Sequence, residues 1–172
     1  MIVIVMGVSG SGKTTVGSLL ASELGWRFWD ADAFHPENNV GKMRSGVALS
    51  DEDRLPWLRS LSTLLEESTQ QGQSAVLACS SLKESYRRIL ADGIPCVRFV
   101  YLRGSFDLIN ERLRARLGHF MGPELLSSQL ATLEEPRDAI VVDASLTPRA
   151  IVAAIRDAIE STPAPFLGSP PD

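Results

Sequence analysis

A chain of 172 residues with 44% apolar residues can bury one sizeable core, and nothing in its middle reads as a linker to a second. Its formal net charge of -4 excludes a broad basic surface for nucleic acid or anionic lipid, so any bound anion needs a local cluster. The two cysteines, Cys79 and Cys96, lie in apolar runs without the paired spacing of a metal or redox motif, and are expected as small buried hydrophobes in a reducing compartment.

The opening MIVIVM is too short to span a membrane, lacks a basic n-region and runs straight into glycines without a cleavage pattern, which predicts a cytoplasmic protein. It is the first of five short apolar runs expected as strands: 2–6, 27–30, 75–79, 97–102 and 139–142. Between them, 13–24 carries Val16, Leu19, Leu20 and Leu24 at helical spacing and ends at Gly25. Residues 51–67 give a leucine-rich helix with Ser50 as N-cap, Asp51 to Asp53 against its dipole, and Pro56 tolerable in the first turns. Further helices are expected at 82–91, 106–116, 123–133 and 148–161. The alternation predicts an α/β domain over 1–161, a five-stranded parallel sheet with helices on both faces, in which the third strand reads as central. The last eleven residues, TPAPFLGSPPD, hold four prolines and no periodicity, and are expected to be a disordered tail.

After the first strand comes GVSGSGKT, which matches G-x-x-x-x-G-K-[ST] between a strand and an amphipathic helix. Gly7, Gly10 and Gly12 let the backbone approach phosphate and turn its N–H groups inward, with a helix N-terminus behind them. Lys13 is expected on the β- and γ-phosphates and the Thr14 hydroxyl on Mg2+, with Ser9, Ser11 and Thr15 completing the nucleotide-contacting set of a P-loop NTPase architecture. No N-K-x-D reads guanine, no D-x-x-G follows a later strand, and the third strand ends ACSS without the usual acidic residue. The metal-side carboxylate must come from elsewhere. In WDADAFHPENNVGKM, residues 29–43, Asp30 and Asp32 stand two apart at a strand end, where strand geometry aims both at the crevice beside the phosphate loop. Asp30 is the expected metal-side carboxylate and Asp32 the expected acceptor of a hydroxyl proton.

GVSGSGKT, WDADAFHPENNVGKM, SGVALSDEDRLPWL, ACSSLKESYR and RLGHFM, in that order, resemble the gluconokinases of the P-loop small-molecule kinase group, over roughly 5–136. The resemblance implies a nucleoside/shikimate-kinase-like fold with a helical lid at about 112–135, ATP and Mg2+, and a homodimer. It also implies phosphorylation of D-gluconate on its 6-hydroxyl to 6-phosphogluconate. Such a substrate needs hydroxyl-binding groups and a cation. Asp32 and His35 suit the polyol; Lys42, Arg54 and Arg87 are the candidates for the carboxylate, and of the adjacent Arg87 and Arg88 at most one faces the site. Ser80 and Ser81 end the third strand, where ligands of such sheets lie, and helix capping is their other role; Trp57 is expected in the core with an acceptor-facing role open to it. Arg112 and Arg116 share a helix face suited to closing over phosphates, with His119 at the lid tip, so the expected catalytic set is Lys13, Asp32, Arg112 and Arg116. Two alternatives stand beside this reading: a shikimate-type or other small-metabolite kinase, though shikimate kinases carry a glycine triplet where this chain has CSS, and a nucleotide-binding regulator without transfer activity.

Overall fold

The computed structural model describes residues 1–115 and 123–161. Five strands, β1 (Ile2–Met6), β2 (Arg27–Asp30), β3 (Ala75–Ala78), β4 (Val97–Arg103) and β5 (Ala139–Asp143), form one parallel sheet in the order β2-β3-β1-β4-β5. The central strand is β1, not β3. All five residues of β1 are buried, which is why its sequence is continuously apolar rather than alternating.

Side-chain alternation divides the core into two layers. Val3, Val5, Val76, Val100, Leu102 and Val142 face α1 (Lys13–Leu24) and α7 (Pro148–Ser161), where Val16, Leu20, Ile151, Val152 and Ile155 meet them. Ile2, Ile4, Ala75, Leu77 and Val97 face α3 (Asp51–Gln70) and α4 (Glu84–Ala91), against Trp57, Leu58, Leu61, Leu65 and Leu90. A smaller cluster of Val8, Leu82, Ile109, Leu113 and Leu126 ties the loop after β1 to α5 (Phe106–Ala115) and α6 (Pro123–Thr132). Helix α1 lies so close to β2 that a Cβ at Gly17 would stand 2.9 Å from the Phe28 ring.

Three elements depart from expectation. A 3-10 turn, Ala31–Phe34, follows β2 directly, so Asp32 is not a strand residue and the i, i+2 parity argument does not apply to it. Helix α2 (Glu37–Arg44) is an element that the apolar periodicity does not predict. The fourth helix begins at Glu84 rather than Leu82: Ser81 takes a left-handed φ of 45°, and Lys83 is the N-cap without any side-chain cap bond, so neither serine caps it. Residues 116–122 of the expected lid, with Arg116 and His119, and the tail at 162–172 lie outside the described residues.

Candidate active site

The phosphate loop leaves the carboxyl end of the central strand. Gly10 has φ 84°, and a Cβ there would meet Leu113 Cγ at 3.0 Å; Gly12 has φ 99° and starts α1 with no side-chain cap. Glycine is therefore required at Gly10 on both backbone and packing grounds and at Gly12 on backbone grounds, and the first turn of α1 is left to an anion. Lys13 Nζ donates to the Val8 carbonyl at 3.0 Å, folding the side chain back over the loop. The Gly7 N–H donates to the Ser80 carbonyl at 3.3 Å, so Ser80 supports the loop through its backbone. Buried Ser11 lies beneath Gly7, whose Cβ would stand 2.9 Å from Ser11 Oγ.

Asp30 joins this loop to the neighbouring strand. Its Oδ2 accepts from the Thr14 hydroxyl at 2.7 Å, and its Oδ1 accepts from the Asp32 N–H at 3.1 Å, capping the 3-10 turn. That turn presents Asp32, exposed, on the way to His35. The His35 ring stacks on Trp57 with centroids 4.0 Å apart and planes at 16°, while Trp57 Nε1 donates to the Ala31 carbonyl at 2.9 Å. Trp57, 2% exposed, is thus a core residue that carries the histidine on its outer face. Burial lowers the His35 pKa from 6.5, Asp32 raises it and Arg54 lowers it. The ring therefore titrates below its usual range, between an acid and a base.

The three candidate cations have different surroundings. Arg54 donates to the Tyr86 hydroxyl at 3.4 Å and lies 5.7 Å from the centroid of that ring. Tyr86 in turn donates to Asp51, which also takes Lys83 Nζ at 2.7 Å. Hydrogen bonds from Lys83 and Tyr86 lower the Asp51 pKa; burial first, and Asp51 second, raise that of Tyr86, so the hydroxyl keeps its proton. Lys42 pairs with Asp53 at 2.6 Å, and Asp53 completes a reciprocal capping box with Ser50. Arg87 is buried and donates to the carbonyls of Ser81 and Leu82 at 3.0 and 3.2 Å. It borders a cavity of about 920 Å3 with Arg98, Glu134 and Asp138, not the cleft that Arg54 lines. Lys42 and Arg87 thus brace α2 and the loop after β3, and the carboxylate role expected of them has no counterpart in these contacts.

Arg112 reaches the phosphate loop from α5. Its guanidinium donates to the Ala144 carbonyl at 2.8 Å, and a Cβ on Gly12 would stand 4.0 Å from its Nη1. One contact had no sequence signal: Gln129 Oε1 on α6 accepts from the Ser9 N–H at 2.7 Å. The Tyr86 hydroxyl likewise has no sequence signal, because the place of the residue in a helical apolar pattern accounts for the ring alone.

A phosphate loop on the central strand, a carboxylate bound to its threonine, and an acid, an imidazole and an arginine beside it make this an α/β P-loop kinase of small molecules. The shikimate kinase family model matches residues 9–160. The chain is 48% identical to a probable gluconokinase of Mus musculus, covering 92% of this chain and 97% of that one, and 41% identical to the thermoresistant gluconokinase of Escherichia coli (strain K12), covering 92% and 93%. The crystal structure of a gluconokinase from Sinorhizobium meliloti 1021 superposes with a TM-score of 0.83 at 40% identity, over 92% of this chain and 93% of the other. The chain belongs to the gluconokinase family, which the shikimate kinase model also recognises.

Proposed function

We propose that the protein transfers the γ-phosphoryl group of ATP to the 6-hydroxyl of D-gluconate, giving 6-phosphogluconate and ADP. The observation that carries this reading is the grouping of Asp32 and Arg54 around His35, which stacks on Trp57, in a phosphate-loop chain whose relatives are named gluconokinases. The 6-hydroxyl oxygen forms a bond to the γ-phosphorus, the bond from that phosphorus to the β-bridging oxygen breaks, and the hydroxyl proton passes to Asp32. Lys13 and the N–H groups of the loop hold the phosphates, and Arg112, joined by Arg116, stabilises charge on the group in transfer. Thr14 and Asp30, already meeting through oxygen atoms, would hold Mg2+, a cation that takes oxygen ligands and neutralises phosphate charge.

Of the three candidate cations, Arg54 is the one proposed for the gluconate carboxylate. Tyr86 fixes its orientation, and it lines the cleft, whereas Lys42 and Arg87 are engaged in bracing contacts. His35, neutral at pH 7, accepts from or donates to a hydroxyl, and His119 adds a further contact from the lid. A cytoplasmic homodimer completes the proposal, on the strength of the sequence reading and the resemblance alone.

The test is coupled ADP release with ATP and Mg2+ over gluconate, shikimate, glycerate, glucose, AMP and no acceptor. Release confined to gluconate supports the reading. Release with another acid keeps the kinase and discards the substrate, and release without an acceptor moves the reading toward a nucleotide switch.

A further inference from the structure

We infer that Gln129 is a specificity-determining residue of the acceptor site, its side-chain NH2 donating to a hydroxyl of the sugar acid; this rests on the function proposed above. The orientation of the carboxamide is set by its partner. Ser9 offers an N–H, which only an oxygen can accept, so Oε1 faces the phosphate loop at 2.7 Å and the NH2 end is what the side chain offers elsewhere. The backbone beneath it is fixed as well: Leu126, fully buried three residues earlier, packs with Val8 of the phosphate loop and with Leu82.

Gln129 lines a narrow cleft of about 80 Å3 together with Met43, Leu49, Arg54 and Leu82. Most of the lining residues are apolar, and the polar ones are Arg54, Gln129, Ser128 and Thr132, the last two short side chains on the same face of α6 as Gln129. Such a space takes one end of a sugar acid, its carboxylate on Arg54 and a neighbouring hydroxyl on the amide, and a polar group desolvated there without a partner is costly. Because the same carboxamide grips Ser9, the hydroxyl it binds is held in register with the loop that carries the phosphates.

The experiment uses the full chain with ATP and Mg2+, gluconate, and the series of monodeoxy gluconates. The variants are Gln129→Met, which removes donor and acceptor, and Gln129→Glu, which keeps an acceptor for Ser9 and removes the donor. The expected result is a KM for gluconate raised about tenfold in both, with the KM for ATP within about twofold of the parent. One monodeoxy acid that the parent protein disfavours should be used by both variants as well as gluconate. Unchanged discrimination across the deoxy series overturns the inference, as does an equal rise in both KM values, which marks a brace of the loop only. Should Gln129→Met fail to fold, Gln129→Glu is decided by the same deoxy series. Absence of gluconate turnover by the parent overturns the proposed function and this inference together, whereas turnover with unaltered deoxy discrimination overturns this inference alone.

Discussion

Asp32→Asn keeps the shape of the side chain and removes its capacity to take a proton. If Asp32 is the base, kcat falls by about 10^2–10^4 while ATP affinity by calorimetry stays at the parent value. An unchanged kcat would reduce Asp32 to a charge near His35. His35 gives a second residue-scale expectation. Its folded pKa is lowered from 6.5, so the unfolded chain binds the proton more readily and stability declines as pH falls from 6.5 toward the folded value. An NMR titration of the ring with a midpoint at or above 6.5 would contradict that environment. Residues whose chemistry is local were legible in the sequence: Lys13 and Thr14 follow from the loop pattern, and Asp30 from its place at a strand end. The partners of Lys42 and Arg87 were not. Lys42 meets Asp53 across the turn between two helices, and Arg87 meets two backbone carbonyls, which carry no sequence signature.

Helices α2 and α3 are held together by one capping arrangement. Ser50 and Asp53 satisfy each other's N–H groups, and Asp53 then takes Lys42 while its backbone carbonyl takes Asn39 Nδ2 at 2.8 Å. Ser50→Ala is expected to cost about 1 kcal/mol of stability, read as a lower urea midpoint, with the KM for ATP unchanged. The hydrogen bond from Lys42, followed by that from the Ser50 backbone, lowers the Asp53 pKa from 3.8 to about 2. A depressed carboxylate stabilises fully above its unfolded value and loses that contribution as pH falls through its folded value. Acid unfolding followed by circular dichroism should therefore show Asp53→Asn and the parent converging as pH drops from 3.8 toward about 2. Convergence only at higher pH would mean that the cap is absent. Helix α2 itself was illegible because ENNVGKMR has little apolar surface and buries only Asn39; its order comes from α3, not from periodicity.

At the scale of the whole molecule, the alternation of apolar runs and amphipathic helices foretold a parallel sheet, but not which strand lies in the middle. Strand order is decided by crossover packing: RFWD, with a charge at each end, reads as an edge, but the apolar runs at 2–6 and 75–79 carry nothing that says which of the two lies in the middle. Nucleotide binding should stabilise the fold as a unit. A hundredfold excess of ATP over its Kd contributes about 2.7 kcal/mol, and hence a rise of about 5–10 °C in Tm for a domain of this size. Lys13→Ala should lose most of that shift by differential scanning fluorimetry, and a full shift in the variant would show that the lysine contributes little to binding.

The order β2-β3-β1-β4-β5 also fixes when in its synthesis the protein becomes capable of holding a nucleotide. The phosphate loop is made before four of the five strands, yet its own strand gains its first neighbour only with Ala75–Ala78 and its second with Val97–Arg103. Arg112, close to the loop, binds a carbonyl at Ala144, just past the last strand. A nascent chain thus displays the nucleotide-binding sequence before it owns the site, and ligand can assist folding only after the strands on both sides of β1 have left the ribosome.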